Sequence, residues 1–310
     1  MEDVTEEGAA GGASRSSTVG FIGLGIMGRP MALNLLGAGR QLVVHSRSQT
    51  PVDAVVRAGA RRARSPAEVA RAASIVITML PDTPDLETVV YGSDGVLAGS
   101  QRGDLLVDMS TVDPLTTRQI AADFEARGVG YVDAPVSGGE RGAIDGTLSI
   151  MAGGSEADVR RAQPLFDVLG SRTVHVGEVG AGQIAKAANQ IVVGVTIEAV
   201  AEALALAAAA GVDPAKVRQA LLGGFAASRV LEVHGQRMLD GAFSPGFRAR
   251  LHLKDARIAS SVAGQLGLSA PALRIVEEEL ARLVADGQGD LDHSALYTLK
   301  HPRAGTSGEA

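Results

Sequence analysis

The sequence predicts an α/β protein: an N-terminal Rossmann domain with a mostly parallel sheet, then an all-α C-terminal domain joined to it by a long interdomain helix. Three observations predict it. Short apolar runs alternate with helical stretches as far as Val176. A glycine turn, Gly23-Leu24-Gly25-Ile26-Met27-Gly28, follows the first run. Beyond Gly177-Glu178-Val179-Gly180 the chain turns alanine-rich and helical in pattern. Strands separated by helices imply a parallel sheet covered on both faces.

Taken in order, residues 1–17 open with Met1-Glu2-Asp3 and are rich in Gly, Ala and Ser, with no basic or long apolar segment. They are expected to be a disordered extension and not a signal peptide. Residues 18–22 read as a buried strand running into the glycine turn. A helix follows to about Leu36, with Met31 and Leu35 on one face, ended by Gly37 and Gly39. Residues 41–45 form a second strand, and the runs 74–80, 105–109 and 131–136 give further strands. Residues 147–152 and 173–176 extend the sheet. The dinucleotide-binding domain is thus placed at 18–179. Residues 181–210 read as one long buried helix, and 180–300 as a helical domain for substrate and dimerisation. The small, polar tail 301–310 is expected to be disordered.

At 310 residues the chain is long enough for two buried cores. A formal net charge of -6 argues against nucleic acid as a partner. Arg61-Arg62-Ala63-Arg64, the densest basic cluster, reads as a solvated loop or helix face. The absence of cysteine excludes disulfides and thiolate nucleophiles and fits a reducing, cytoplasmic location. The most apolar stretch, 191–210, carries Glu198 and Glu202, so it reads as an internal helix and no membrane span. The six histidines include no H-E-x-x-H pattern, so no metal site is expected. His45, His175 and His234 read as strand-end or helix-surface residues, and no serine-hydrolase elbow is present.

The glycine turn carries the first chemistry. Gly23 permits a tight turn after the strand, Gly25 lets backbone approach a pyrophosphate, and Gly28 allows close helix–strand packing. The helix start then offers free N–H groups and a positive dipole end to the anion. At the end of the second strand stands His45-Ser46-Arg47-Ser48. An NAD site wants an acidic residue there; Arg47 between Ser46 and Ser48 suits the 2′-phosphate of NADP(H), with NAD(H) as the alternative.

The second carrier of chemistry is a lysine. Between Ala185 and Val195 the strongly polar residues are Lys186, Asn189 and Gln190, at i, i+3 and i+4. Helical geometry gathers them within an arc of about 100°. A buried ammonium needs a function or a counter-charge; the alternative is a lysine snorkelling from the helix start.

Four segments together resemble the β-hydroxyacid dehydrogenases, relatives of 6-phosphogluconate and 3-hydroxyisobutyrate dehydrogenases, from Val19 to about Leu296. They are Gly20 to Gly28, Asp133-Ala134-Pro135-Val136-Ser137-Gly138-Gly139, Gly180 to Gln190, and Lys254-Asp255. Within that family the likeness is strongest to the tartronate semialdehyde reductases. It is carried by Asp133 to Glu140, Ala143 to Ser149, Pro245-Gly246-Phe247-Arg248, Leu251 to Asp255 and Asp292-His293-Ser294-Ala295-Leu296.

The resemblance implies an NAD(P)-dependent oxidoreductase with Lys186 as catalytic general acid/base. Ser137, Gly138 and Gly139 would bind a substrate carboxylate, with Asn189 and Gln190 facing substrate and Phe247 and Asp255 near the cleft. Leu24, Ile26, Met27, Met79, Leu80, Pro81 and Thr111 would border the cofactor, and Lys254 would reach it. The substrate would be a small carboxylate-bearing aldehyde or hydroxyacid: tartronate semialdehyde, or else 3-hydroxyisobutyrate, glyoxylate or succinic semialdehyde. The chain would assemble as a homodimer or homotetramer. A non-catalytic NADP-binding sensor module is the competing reading from another class.

Overall fold

The computed structural model describes residues 15–300, so the expectations for residues 1–14 and 301–310 fall outside the described residues. At the end of the expected extension Arg15–Ser17 form a 3-10 turn. The Arg15 guanidinium donates to Asp104 Oδ1 at 2.8 Å and to the Arg71 carbonyl at 3.0 Å.

The strands are β1 (Thr18–Ile22), β2 (Gln41–His45), β3 (Arg61–Arg62), β4 (Ile75–Thr78), β5 (Leu105–Asp108), β6 (Gly130–Asp133), β7 (Val136–Ser137), β8 (Leu148–Gly153) and β9 (Gly170–Gly177). Between them run α1 (Gly28–Gly37), α2 (Gln49–Arg57), α3 (Pro66–Ala72), α4 (Thr83–Tyr91), α5 (Val96–Gly99), α6 (Pro114–Glu125), α7 (Gly139–Asp145) and α8 (Glu156–Leu169). Strands β3-β2-β1-β4-β5-β6 lie side by side, all parallel. Their order reverses between β1 and β4, the switch point at which doubly wound sheets open a crevice for ligands. Strand β8 pairs antiparallel with β6 and β7, and β9 runs parallel to β8 at the far edge.

Residue alternation along the strands builds two cores. Leu42, Val44, Ile77, Leu105 and Val107 pack on one face, and Val43, Val76 and Leu106 on the other. A strand buried on both faces reads as an unbroken apolar run, which is why these were legible. The basic pair Arg61–Arg62 departs from the expected loop or helix face: it forms the short edge strand β3, with both residues exposed. Charge on a short edge strand blocks pairing with other chains.

The helical part comprises α9 (Ala181–Ala209), α10 (Pro214–Leu222), α11 (Arg229–Asp240), α12 (Ala249–Gln265), α13 (Pro271–Leu283) and a 3-10 segment, His293–Lys300. Helix α9 is long and apolar enough to cross a membrane by length and composition. Its buried stripe, including Ile197, Ala201 and Leu204, instead packs with Leu231, Leu253, Val276 and Leu296 in a third core. Glu198 on that stripe is ion-paired with Lys300, which also meets Glu279 at 3.1 Å.

Candidate active site

A cleft of about 910 Å³ opens at the switch point, between the glycine turn and the segment preceding α12. Gly23 turns with φ +95°, and a Cβ there would lie 2.3 Å from the Met79 carbonyl, so the turn is wedged against the end of β4. A Cβ on Gly28 would come within 1.9 Å of the Gly23 carbonyl, which fixes α1 tightly against the turn. At Gly25 a Cβ would meet no protein atom within 4 Å, and this residue faces the cleft. No side chain caps the start of α1; Arg29 N–H donates to the Gly25 carbonyl at 3.1 Å and Pro30 carries no N–H, so the helix start offers the cleft its positive dipole end and the N–H groups of the turn before it. These features fit a dinucleotide pyrophosphate.

Leu24, Ile26, Met27, Ser46, Arg47, Ser48, Met79, Leu80, Pro81, Thr111, Phe247, Lys254 and Asp255 also line this cleft. The Ser46 hydroxyl accepts from Leu24 N–H at 3.3 Å and so joins the end of β2 to the turn. The Arg47 side chain is 88% exposed and its guanidinium lies 3.5 Å from Asp85. At that exposure the ion pair contributes little, so Arg47 is free to take another anion.

The lysine site is built by the first turns of α9. Asp133, at the end of β6, accepts from Gly180 N–H at 2.7 Å and Gln183 N–H at 2.9 Å, a carboxylate at the helix N-terminus. The Gln183 side chain accepts from Val112 N–H at 3.2 Å and donates to the Ser110 carbonyl at 2.9 Å. One turn later Lys186, 7% exposed, donates from Nζ to the Val136 carbonyl at 2.8 Å. Burial lowers the Lys186 pKa from its ordinary value; the Asp255 charge opposes that shift and the Lys254 charge adds to it. Burial likewise pushes Asp133 and Asp108 up to about 6, against the hydrogen bonds they accept.

Lys186, Asn189, Gln190, Ser137, Gly138 and Gly139 are not themselves lining residues of the 910 Å³ cleft, but each region is tied to it. Asn189 donates to Gln190 Oε1 at 2.8 Å, and the buried Gln190 donates to Asp255 Oδ2 at 2.6 Å. Lys254 lies 2.9 Å from Asp255 Oδ1 and also donates to the Thr111 carbonyl. Gly138 and Gly139 follow Val136–Ser137 with φ +138° and +62°, a backbone that L side chains rarely adopt. A Cβ on Gly139 would stand 3.7 Å from the Gly246 carbonyl, across from the Phe247 loop. Gln190, expected to face substrate, spends its amide on Asp255, between α9 and α12.

Sequence reasoning singled out neither Asp133 nor Gln183 as anchors of the lysine helix. Asp133 opens one quoted motif and Gln183 sits inside another, but their bonds join residues 47 to 73 positions apart. Of the histidines, His45 ends β2 with Nδ1 3.2 Å from the Ala63 carbonyl, and His175 lies in β9. His234 on α11 is half-buried, and His293 and His252 lie beside one another in the core.

The fold and the cleft define a dinucleotide-dependent dehydrogenase. Comparison with known proteins narrows the class. Residues 18–177 match the family model of the NAD binding domain of 6-phosphogluconate dehydrogenase. Residues 180–300 match that of the NAD-binding of NADP-dependent 3-hydroxyisobutyrate dehydrogenase. The 2-hydroxy-3-oxopropionate reductase of Escherichia coli K12 is 49% identical over 279 residues, covering 90% of this chain and 95% of that protein. Among solved structures, 3-hydroxyisobutyrate dehydrogenase of Mycobacterium tuberculosis with L-serine has a TM-score of 0.85 at 32% identity, covering 93% of this chain and all of that one. A complex of Psf3 with NADP+ and 2-OPP also reaches 0.85, at 26% identity, covering 91% of this chain and 100% of that one. The chain belongs to the β-hydroxyacid dehydrogenase family, the relatives of 3-hydroxyisobutyrate dehydrogenase. It is an NAD(P)-dependent oxidoreductase acting on CH–OH groups.

Proposed function

We propose that the protein reduces small carboxylate-bearing semialdehydes with NADPH, converting tartronate semialdehyde to glycerate with Lys186 as general acid. One observation carries the reading. Lys186 is a nearly fully buried ammonium whose close partner is the neutral carbonyl of Val136 and not a carboxylate. Burying a charge without a paired counter-charge is costly, and perturbed buried groups of this kind cluster at functional sites. The name of the 49% identical relative supports the choice of substrate.

In this reading Gly25 and the start of α1 hold the pyrophosphate, while Ser46, Arg47 and Ser48 take the 2′-phosphate. Met79, Leu80, Pro81 and Thr111 border the cofactor, and Lys254 reaches towards it. Ser137 Oγ and the N–H groups of Gly138 and Gly139 bind the substrate carboxylate in a glycine nest. Asn189, Gln190, Phe247 and Asp255 shape the substrate space. When bound, the reduced nicotinamide supplies the hydride taken up by the carbonyl carbon. Lys186 Nζ gives its proton to the carbonyl oxygen as negative charge develops there, so the C=O becomes a CH–OH. In the reverse direction the neutral amine takes the alcohol proton. The exposed apolar side chains of Val192, Leu206 and Phe225 support a homodimer or homotetramer built through the helical domain, and the lack of cysteine supports a cytoplasmic enzyme.

A spectrophotometric panel tests this: tartronate semialdehyde, succinic semialdehyde, glyoxylate and 3-hydroxyisobutyrate, each with its NADP and NAD coenzymes. Tartronate semialdehyde with NADPH should give the highest kcat/KM. Turnover of none of them by a protein that still binds NADPH would favour the sensor reading.

A further inference from the structure

The conspicuous pair Asp292-His293 lies outside the machinery described above. Asp292 is fully buried, and five donors converge on its two oxygens. Oδ2 accepts from Arg237 Nη1 at 2.8 Å, Gly246 N–H at 2.9 Å and Phe247 N–H at 3.2 Å. Oδ1 accepts from the Ser294 hydroxyl at 2.6 Å and the Ser294 N–H at 3.1 Å, with His234 Nδ1 3.6 Å away. The backbone repeats the connection: His293 N–H donates to the Phe247 carbonyl at 3.0 Å and Ala249 N–H to the Leu291 carbonyl at 2.8 Å. The segment carrying Phe247 is therefore laced to residues 291–293 along its length.

Behind the carboxylate stands a column of three imidazoles. His293 Nδ1 is 2.9 Å from His252 Nδ1, and His293 Nε2 is 3.4 Å from His234 Nε2. The Phe247 ring rests on this column, with centroids 5.5 Å from His293 and 5.9 Å from His252. Burial holds His252 down to about 4, so it packs as a neutral polar ring. His252 presses in turn on α9 at Gly194, where a Cβ would lie 3.2 Å from its Nε2. Gly194 is four residues from Gln190 and eight from Lys186, on the same helical face. His252 also precedes Lys254 and Asp255 in the first turns of α12.

We propose that Asp292 and His293 are positioning residues: they fix the Phe247 segment and the start of α12, and so hold Phe247, Lys254 and Asp255 at the cleft. The proposal rests on the reductase reading for the purpose of this positioning, but its geometry can be tested without turnover. An aspartate is required because every group around Oδ2 is a donor. In Asp292→Asn the amide NH2 faces an N–H donor whichever way it turns: three donors on the Oδ2 side, or the Ser294 N–H on the Oδ1 side.

The sequence contains no tryptophan, so Phe247→Trp creates a single reporter. Adding Asp292→Asn to that background should shift the indole emission to longer wavelength and raise the NADPH Kd at least about tenfold (a fold-change of about 1.4 kcal/mol), while Lys186 is untouched. Unchanged emission and Kd would overturn the proposal. A lowered Tm with neither change would also overturn it, since Asp292 would then serve only the stability of the helical domain. Should Asp292→Asn fail to fold, Arg237→Gln and Ser294→Ala, each removing one donor, are read in the same two ways and decide the matter. Loss of NADPH affinity after dialysis against EDTA would mean that His234, Asp292 and His293 hold a metal ion, and would likewise overturn it. Absence of turnover in the Phe247→Trp parent and the natural protein alike would strike the reductase reading and leave the positional one standing.

Discussion

Lys186 and Val136 are joined across 2.8 Å, from the ammonium of the long helix to a backbone carbonyl of the short strand β7. That contact sets the buried charge beside Ser137, Gly138 and Gly139 and keeps it clear of a direct carboxylate partner. It therefore links the proposed proton donor to the proposed carboxylate nest through one residue of backbone.

Replacing Lys186 with Ala should leave NADPH Kd nearly intact and lower kcat for semialdehyde reduction by about a hundredfold or more. Stopped-flow or steady-state absorbance at the NADPH band measures the second, and fluorescence titration the first. Wild-type turnover in this variant would remove the general-acid assignment.

The pH profile should carry the sign of the lysine. Reduction requires the ammonium, so kcat should fall as pH rises through its pKa, and burial brings that fall below the ordinary lysine range. Asp255 raises this pKa and Lys254 lowers it. Asp255→Asn should accordingly move the alkaline limb to lower pH, and Lys254→Met to higher pH. Parallel shifts of both variants in one direction would contradict the arrangement.

The glycine turn offers a contrast between two single methyl groups. Gly28→Ala would put Cβ against the Gly23 carbonyl, and overpacking of this kind costs about 1–3 kcal/mol. Gly25→Ala meets nothing in the protein, so its Tm should match the parent while NADPH Kd rises about tenfold or more. Thermal melts and NADPH titrations of the two variants separate folding from binding. Equal NADPH affinity in Gly25→Ala and the parent would refute the phosphate cradle.

Arg47→Asp should reverse the coenzyme preference. The variant loses a cation suited to the 2′-phosphate and gains an acceptor for a ribose hydroxyl. The ratio of kcat/KM with NADPH to that with NADH is expected to drop at least about tenfold. An unaltered ratio would mean that the phosphate is recognised elsewhere.

Much of this architecture could be read along the chain because its signals are local. A strand buried on both faces is an unbroken apolar run, as at Leu105 to Val107, and the turn after β1 needs glycines at fixed spacing. The length of α9 followed from its alanine-rich composition, and Lys186, Asn189 and Gln190 stood out as polar residues on that apolar helix. Strand β3 did not stand out, because two arginines owe their strand geometry to pairing with Val43 and Val44 and not to their own propensity.

Sequence alone thus determined the two-part plan, the position of the glycine turn and the polar trio Lys186, Asn189 and Gln190 on the long helix. Only the tertiary structure decided what surrounds that lysine: Asp133 and Gln183 anchoring the helix start, the Val136 carbonyl accepting a hydrogen bond from the ammonium, and Gln190 bonded to Asp255. It also decided that Asp292 ties down the Phe247 segment. Periodicity and turn chemistry act over a few residues, whereas these bonds join groups 45 to 73 positions apart, and nothing in a linear pattern encodes which donor meets which carboxylate.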